Sequence, residues 1–427
     1  MLSARTTLPP KDELPLAPGR AALLALYAPP SCTGVLAAND PEYALITDRS
    51  SFEALEGEWN ALFDRAARGR HVFQSFNWLW HWSNHFLPKR GDLSTTLAIV
   101  TARRRGKLVL VWPLVSKRTG PITKLCWMGD PVSQYGDVLV DDGPDTMDLL
   151  RGAWNVIRTR TGASVVQLRK VRADSHVARL LDEVGASPII RLVAPHLDLT
   201  EAQTFAEYET RFSSKARKTR RSQRRRFEKL GTAALEHHRQ GPIAKYFAGE
   251  AIELKRRWLE ARGLASPAIA DKRTKAFFED VCEAVIRPAG AQVLSLTSNG
   301  IPAAIEIGII AKGHVAIHVI AYDAAFEKAS AGSLLMEDSI RRAFAEGCRT
   351  FDLLAPGDRY KLQWADKSVE VCDWAKALTP GGLAYANLYL RGVRGYGKQV
   401  IAGMPIALRR PLSLALAFVL TAAARLR

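Results

Sequence analysis

At 427 residues, 47% of them hydrophobic and ten of them tryptophan, the chain is too long for one typical domain and rich enough in apolar side chains to build folded cores, which excludes bulk disorder. A formal charge of +17 favours acidic partners: a phosphate-rich cofactor, an anionic glycan, nucleic acid or anionic lipid. Cys32, Cys126, Cys282, Cys348 and Cys372 are scattered, with no CxxC pair and no histidine at zinc spacing, which argues against a metal and suits a reducing compartment.

Residues 1–41, rich in proline and small side chains, read as a flexible tail; the apolar run Ala21–Ala28 has poor signal-cleavage context. A strand is expected at Tyr43–Ile46, then a helix from Ser51 through Arg65, capped by Ser50 or Ser51, whose buried stripe is Phe52, Leu55, Trp59, Leu62 and Phe63. Asn77–Phe86 is dense in tryptophan. Phe73, Trp78 and Trp82 fall at roughly helical spacing, which favours core packing over a sugar-stacking platform. Gln74, Tyr135 and Asp137 are the better candidates for contacts in a substrate groove. Strands at Leu97–Val100 and Leu108–Trp112 flank a turn at Arg103–Lys107, and Val165–Leu168 reads as a later strand of the same sheet. No turn in this first half is suited to cradling a phosphate.

The run from Lys215 to Lys229 holds nine lysines or arginines, opposed only by Glu228. Phe212, Ala216, Thr219, Gln223, Phe227 and Leu230 form a narrow seam, so one amphipathic helix over 212–230 is expected, ended at Gly231. Its like charges repel, and an anion would relieve them: tRNA, acidic polysaccharide or membrane, against the alternative of a solvated helix face.

Residues 291–323 predict a three-stranded meander. Val293–Leu296 leads to an Asn299-Gly300 turn, Ile305–Ile310 to a turn at Lys312-Gly313, and Val315–Ile320 follows. A small-residue turn then opens a helix from about Gly332 to Glu346, with Gly347 as its stop and Thr350–Leu354 as a returning strand. Free backbone N–H groups and the positive end of the helix dipole make such a turn a ready anion cradle. Glu306 alternates with Ile305 and Ile307 and is expected to line a groove. Tyr360 and Lys361 follow a Pro356-Gly357 turn. At the C-terminus, the apolar run Leu412–Ala424 would span about 20 Å as a helix, short of the ~30 Å hydrocarbon core, so 408–427 is read as packed on the protein or lying at a membrane interface.

Four local features carry a family resemblance: Val72-Phe73-Gln74-Ser75 with Trp78 and Trp82; Ser213 to Arg221; Ser330-Ala331-Gly332-Ser333-Leu334-Leu335; and Phe351-Asp352 with Tyr360-Lys361. In order and spacing the chain resembles the GNAT-like acetyltransferases found beside cellulose and exopolysaccharide biosynthesis genes, a family itself similar to the Fem-type aminoacyl transferases. The resemblance implies an α/β (α+β) fold of two tandem GNAT-like acyltransferase domains, each a mixed, mostly antiparallel sheet flanked by helices. The expected boundaries are 42–197, degenerate and on the acceptor side, and 198–395, which includes the basic helix 212–230; tails occupy 1–41 and 396–427. Typical GNAT turns follow an Arg or Gln with alternating glycines, whereas Lys328 to Ser333 holds one glycine, so the identity of the acyl donor stays open.

The activity implied is acyl transfer from acyl-CoA, acetyl-CoA first, to an amine or hydroxyl of an envelope polysaccharide, glycolipid or precursor, by direct attack on the thioester and without a metal. Alternatives are a Fem-like transfer from aminoacyl-tRNA bound at 215–229, and a non-catalytic partner that binds anionic polymer or membrane. Donor contacts are expected from Ile320, Lys328, Ser330, Ala331, Gly332, Ser333 and Leu334. Glu306 or Asp352 would serve as base or orient the amine, and Tyr360 would protonate the leaving thiolate. Acceptor contacts are expected from Gln74, Tyr135, Asp137, His318, Tyr322, Lys361 and Trp364. The expected location is cytoplasmic, at the inner face of the membrane if 408–427 reaches it.

Overall fold

The computed structural model describes residues 40–88, 92–264, 266–284 and 289–393. The readings made for 1–39, and for 408–427, lie outside the described residues. The described residues from Pro41 to Val393 form one compact unit.

β1 (Glu42–Ile46) leads to two short helices, Arg49–Ala54 and Glu56–Ala66, which meet at Leu55 where a single helix was expected. The cap is Asp48 rather than Ser50 or Ser51: its carboxylate accepts from Ser51 N at 2.8 Å, and Ser50 Oγ donates to the same carboxylate. The predicted stripe Phe52, Leu55, Trp59, Leu62 and Phe63 is buried. The tryptophan-rich segment forms helix Phe76–Phe86, capped by Ser75. Phe73, Trp78 and Trp82 are buried in the core, Trp78 edge-on to Phe277 with ring centroids 4.8 Å apart, so they offer no face to a sugar.

β2 (Thr95–Leu97), β3 (Ile99–Arg104), β4 (Lys107–Trp112), β5 (Leu114–Thr119) and β6 (Ile122–Trp127) follow as a meander. Ala98 and Pro113 sit where the two arms of this hairpin pass from one sheet into another, because β3 and β4 belong with β1 and β7 (Leu139–Val140) in a four-stranded sheet, while β2, β5 and β6 join an eleven-stranded one. Pro113 has no N–H to give to a ladder, which makes it a natural break. After helix Thr146–Arg160, β8 (Val165–Arg172) pairs in parallel with β6, so it lies in the larger sheet and not beside β3 and β4 as expected. Helix His176–Glu183 and β9 (Ser187–Asp198) close this half.

The second half repeats the plan. The basic helix Ser214–Glu228 and β10 (Ala233–His238) precede helices Gly241–Ala261 and Lys272–Glu283. Then β11 (Gly290–Ser298), β12 (Ile301–Ala311) and β13 (His314–Tyr322) form the predicted meander. Helix Ala331–Ala345 crosses to β14 (Thr350–Asp352), which pairs in parallel with β13 as β8 does with β6. A short helix, Arg359–Trp364, and β15 (Lys367–Ala377) complete it. The fold is thus a mixed α/β tandem of two GNAT-like units.

The sheet order, β10-β11-β12-β13-β14-β9-β15-β8-β6-β5-β2, shows how the units join. β9, from the first, pairs with β14 of the second; β15, from the second, pairs with β8 of the first; and β9 and β15 pair with each other. Each unit lends its last strand to the other, so one hydrogen-bonded sheet runs through both.

Candidate active site

β13 and β14 share only three register pairs, His314↔Thr350, Val315↔Phe351 and Ala316↔Asp352, and then part. The parting is built by Asp352, whose carboxylate accepts the Leu354 N–H at 2.8 Å, and by Leu354 itself, at φ +59°. β13 runs on to Tyr322 with one backbone edge unpaired by any strand, and that edge opens into a cleft of two connected chambers. A buried backbone edge needs partners; one of them is Lys255 Nζ, 3.4 Å from the Ile320 carbonyl oxygen.

The larger chamber, about 730 Å³, lies at the start of helix Ala331–Ala345. Ser330 precedes the helix in the left-handed region, at φ +61°, and makes no side-chain cap. Its hydroxyl instead takes a hydrogen bond from Gln223 of the basic helix at 3.0 Å. Ser333 and Leu334 N–H bond back to the Ser330 carbonyl, whereas among the described residues no group accepts from the amides of Ala331 and Gly332. A Cβ on Gly332 would stand 3.0 Å from the Tyr322 ring, so this position keeps the turn open. Ile320, Ser330, Ala331, Gly332 and Ser333 line the chamber, as do Tyr322 and Trp364. Leu334 is buried beneath the helix and Lys328 is exposed, so neither side chain belongs to the lining.

The second chamber, about 450 Å³, shares Lys255, Leu259, Ile320, Met336, Asp358 and Tyr360 with the first. His318 and Lys361 line it. The His318 Nε2 hydrogen bonds to the Val132 carbonyl, which leaves Nδ1 buried with no partner; burial pushes the ring down to about 4, so it is neutral. Tyr360 stands at the junction, partly exposed, its phenol raised above its ordinary value by the surrounding protein and by the nearby Asp358 charge.

Other predicted residues lie behind this cleft. Asp352 is wholly buried and accepts from the Tyr135 hydroxyl at 2.9 and 3.0 Å, with Arg172 Nη1 and His314 Nε2 each 3.4 Å away. It borders a separate cavity of about 220 Å³ with Arg68, Arg70 and His314. Gln74 donates to the Tyr135 carbonyl at 2.9 Å, and Asp137 pairs with His71 at 3.0 Å and with the Val138 amide, so these three polar side chains are used internally. Glu306 faces helix Ala331–Ala345, not a groove. Ser339 Oγ donates to it at 2.6 Å, its second oxygen has no partner, and burial pushes it up to about 8. The helix covers the very face of β12 that strand alternation assigned to the groove.

The basic helix is confirmed, but its seam is not apolar throughout: Thr219 and Leu230 are exposed, and only Phe227 is fully buried. It docks through charge. Arg220 lies 3.3 Å from Glu337 and 3.4 Å from Glu209, and Arg224 lies 2.7 Å from Asp338. Lys215, Lys218, Arg221, Arg225 and Lys229 are exposed, and among the described residues no acid pairs with them. Sequence reasoning missed Lys170, Lys255, Trp258 and Asp358. Of these, Asp358 alone carried a signal, in the Pro356-Gly357 turn.

Residues 214–362, from the basic helix to helix Arg359–Trp364, match the family model of the acetyltransferase (GNAT) domain. No curated protein matches. Among solved structures, FemX aligns over 82% of this chain and 100% of its own with 13% identity and a TM-score of 0.54, a likeness of fold. The C-terminal domain of a putative lysylphosphatidylglycerol synthetase from Agrobacterium fabrum aligns with 13% identity over 80% of this chain and 98% of its own, at a TM-score of 0.47. A tandem GNAT protein from the clavulanic acid biosynthesis pathway aligns with 14% identity over 79% and 99%, also at 0.47. Residues 214–362 thus match a GNAT acetyltransferase domain, which supports a transferase, within a chain whose two halves share one plan. Among the described residues no helix is long and apolar enough to cross a membrane, and no group of three or more His, Cys, Asp or Glu is placed to hold a metal.

Proposed function

We propose that the chain is an acyl-CoA-dependent acyltransferase, with acetyl-CoA as first candidate, acting on an amine or hydroxyl of an envelope polysaccharide, glycolipid or precursor. The observation that carries this is the uncapped start of helix Ala331–Ala345, whose unpartnered amides open into a chamber continuous with a second one. A pyrophosphate there would meet two N–H donors and the positive end of the helix dipole. From that anchor the thioester would reach the junction at Tyr360, with the acceptor arriving from the second chamber.

Protein groups then have modest tasks, because holding nucleophile and thioester together supplies much of the rate. The His318 Nδ1 lone pair orients the nucleophile and takes its proton as nitrogen or oxygen bonds to the carbonyl carbon. The C–S bond breaks, and the Tyr360 hydroxyl protonates the thiolate. Asp352 acts as a positioning residue that holds the parting of β13 and β14 rather than as the base. Glu306, beneath the helix, stays out of the reaction.

Calorimetric titration with acetyl-CoA and desulfo-CoA tests the reading. Gly332→Trp, which fills the turn against Tyr322, should weaken binding about 100-fold or more, the loss of a charge-assisted hydrogen-bond pair. Equal affinity in both chains would move the donor elsewhere. One observation favours a second reading, aminoacyl transfer from tRNA: the exposed stripe Lys215, Lys218, Arg221, Arg225 and Lys229 lies on the helix whose Gln223 touches Ser330 at the chamber mouth. RNA binding that falls steeply with salt, together with no CoA binding, would favour it.

A further inference from the structure

Three lysines from three separate elements converge on the second chamber: Lys170 of β8, Lys255 of helix Gly241–Ala261 and Lys361 of helix Arg359–Trp364. Much of the wall around them is apolar, with Val132, Leu192, Phe278 and Ile317, and Asp358 is the one carboxylate among the lining residues described. That aspartate stands 3.9 Å from Lys361, which leaves three cations facing one anion.

Each ammonium is held by neutral groups. Lys170 Nζ donates to Gln134 Oε1 at 2.5 Å and to the Ser133 carbonyl at 3.3 Å. Lys361 Nζ donates to the carbonyls of Leu354 and Pro356 at 3.0 and 3.1 Å. Lys255 Nζ reaches the Ile320 carbonyl and sits 4.7 Å from the Trp258 ring centroid. Carbonyls orient an ammonium without cancelling its charge. Like charges gathered in an apolar wall are unfavourable until a counter-charge arrives. The nearest acids to Lys170 outside the chamber, Asp130 and Asp373, are engaged by Arg169 at 2.9 and 3.4 Å.

The backbone supports the same picture. Lys170 has φ +55°, at a register slip between β8 and β15, and its N–H is tied to Asp373 Oδ1 at 2.9 Å. Leu354, whose carbonyl holds Lys361, has φ +59°. Non-glycine residues keep such conformations only where their surroundings force them, and bulges of this kind re-aim side chains. Burial lowers Lys170 and Lys361 to about 8 each and lowers Lys255 as well, the signature of cations short of counter-charge.

We propose that this chamber takes an acceptor bearing an anionic oxygen group, a phosphate or a carboxylate, which Lys170, Lys255 and Lys361 bind and hold near the junction. The inference rests on the acyl-transfer reading, since that reading makes this the acceptor side. It narrows the acceptor to anionic glycolipids, sugar phosphates or carboxylated glycans, and it disfavours neutral sugars.

The test uses the full chain carrying Gly332→Trp, so that the donor turn is closed and any added anion reports on the second chamber. Inorganic phosphate and succinate are titrated separately, by calorimetry or intrinsic tryptophan fluorescence, to distinguish phosphate from carboxylate recognition. At least one should bind, and Lys170→Met with Lys361→Met should weaken it about tenfold or more. Lys361→Arg, which keeps the charge, should retain most of the binding. The two methionines without the Gly332 change should leave CoA affinity within about twofold, which also shows that the chain is folded. Absence of binding by both anions, or binding indifferent to the lysines, overturns the proposal. Failure of CoA to bind the unaltered chain overturns the donor reading instead, and lysine-dependent anion binding in that case leaves the anion site standing.

Discussion

Asp352 and Glu306 stand on strands of one sheet, both essentially out of solvent, and their surroundings drive them in opposite directions. Burial pulls both carboxyls upward. Around Asp352 that pull is outweighed by the His314 imidazole, the Arg172 guanidinium and the Leu354 amide, and the carboxyl lies below its usual range. Around Glu306 there is one hydroxyl, from Ser339, and burial prevails. An ionised carboxylate costs several kcal/mol to bury, and each hydrogen bond to a charged group returns about 1.5–3 kcal/mol, so several donors suffice where one does not. Residue type and strand position therefore could not tell an ionised pillar from a protonated spacer; the number of donors does.

The sharpest way to break this comparison is Asp352→Asn. It keeps the shape but leaves Arg172 and His314 facing an amide at the point where β13 and β14 part. A loss of about 3 kcal/mol in urea unfolding at neutral pH is expected, the cost of weakened buried hydrogen bonds to a charged group, since Arg172 keeps its pair with Asp174 at 3.0 Å. Because the folded carboxyl is held low, its stabilisation is present above the ordinary value of 3.8 and is lost as pH falls through the folded value. The difference between the two chains should accordingly shrink in acid. A neutral-pH loss under 1 kcal/mol would mean that Asp352 carries little of the parting, in conflict with its four partners.

Much of the second unit could be read from sequence because local chemistry decides it. Asn299-Gly300 and Lys312-Gly313 turn the meander with positive φ at both residues of each pair, and Arg105-Gly106 does the same between β3 and β4. Gly347, at φ +68°, follows the helix that Gly332 opens, as expected. Of the remaining described positive-φ residues that are not glycine, Lys170 and Ser330 line the cleft, and Leu354 holds the Lys361 ammonium there through its carbonyl. Nothing local marks Lys170, whose N–H is tied to Asp373, 203 residues away, whereas Leu354 is held by Asp352 only two residues before it, an Asx-type contact between near neighbours in sequence. The exchange of β9 and β15 was equally hidden, for it depends on pairing between strands far apart in the chain. Local turns are written in adjacent residues, whereas the acceptor chamber is assembled from β8, helix Gly241–Ala261 and helix Arg359–Trp364 only once the sheet has closed.

Glu306→Gln probes the other side of the comparison. With a folded value of about 8 against 4.5 in the unfolded chain, the fold holds a proton that the unfolded state gives up. Its contribution is fully present below 4.5 and is lost as pH rises through 8. Glutamine removes that dependence while its amide oxygen still accepts from Ser339. Relative to the unaltered chain, the variant should gain on the order of 3 kcal/mol in urea unfolding between pH 5 and pH 8. Parallel pH profiles for the two chains would show that Glu306 finds a counter-charge on folding.

Ser339→Ala is the smallest change and the finest test, since it removes the one donor that Glu306 has. The lost hydrogen bond should cost about 1 kcal/mol at pH 5, where Glu306 is neutral in the fold. The Ser339 bond favours the charged form, so without it the carboxyl should titrate still higher, and the decline in stability should extend beyond the range of the unaltered chain. Two readings of Glu306 diverge here. If the carboxyl is neutral because donors are scarce, taking away the last one moves the decline upward; if something else keeps it neutral, the profile drops uniformly and its shape does not change.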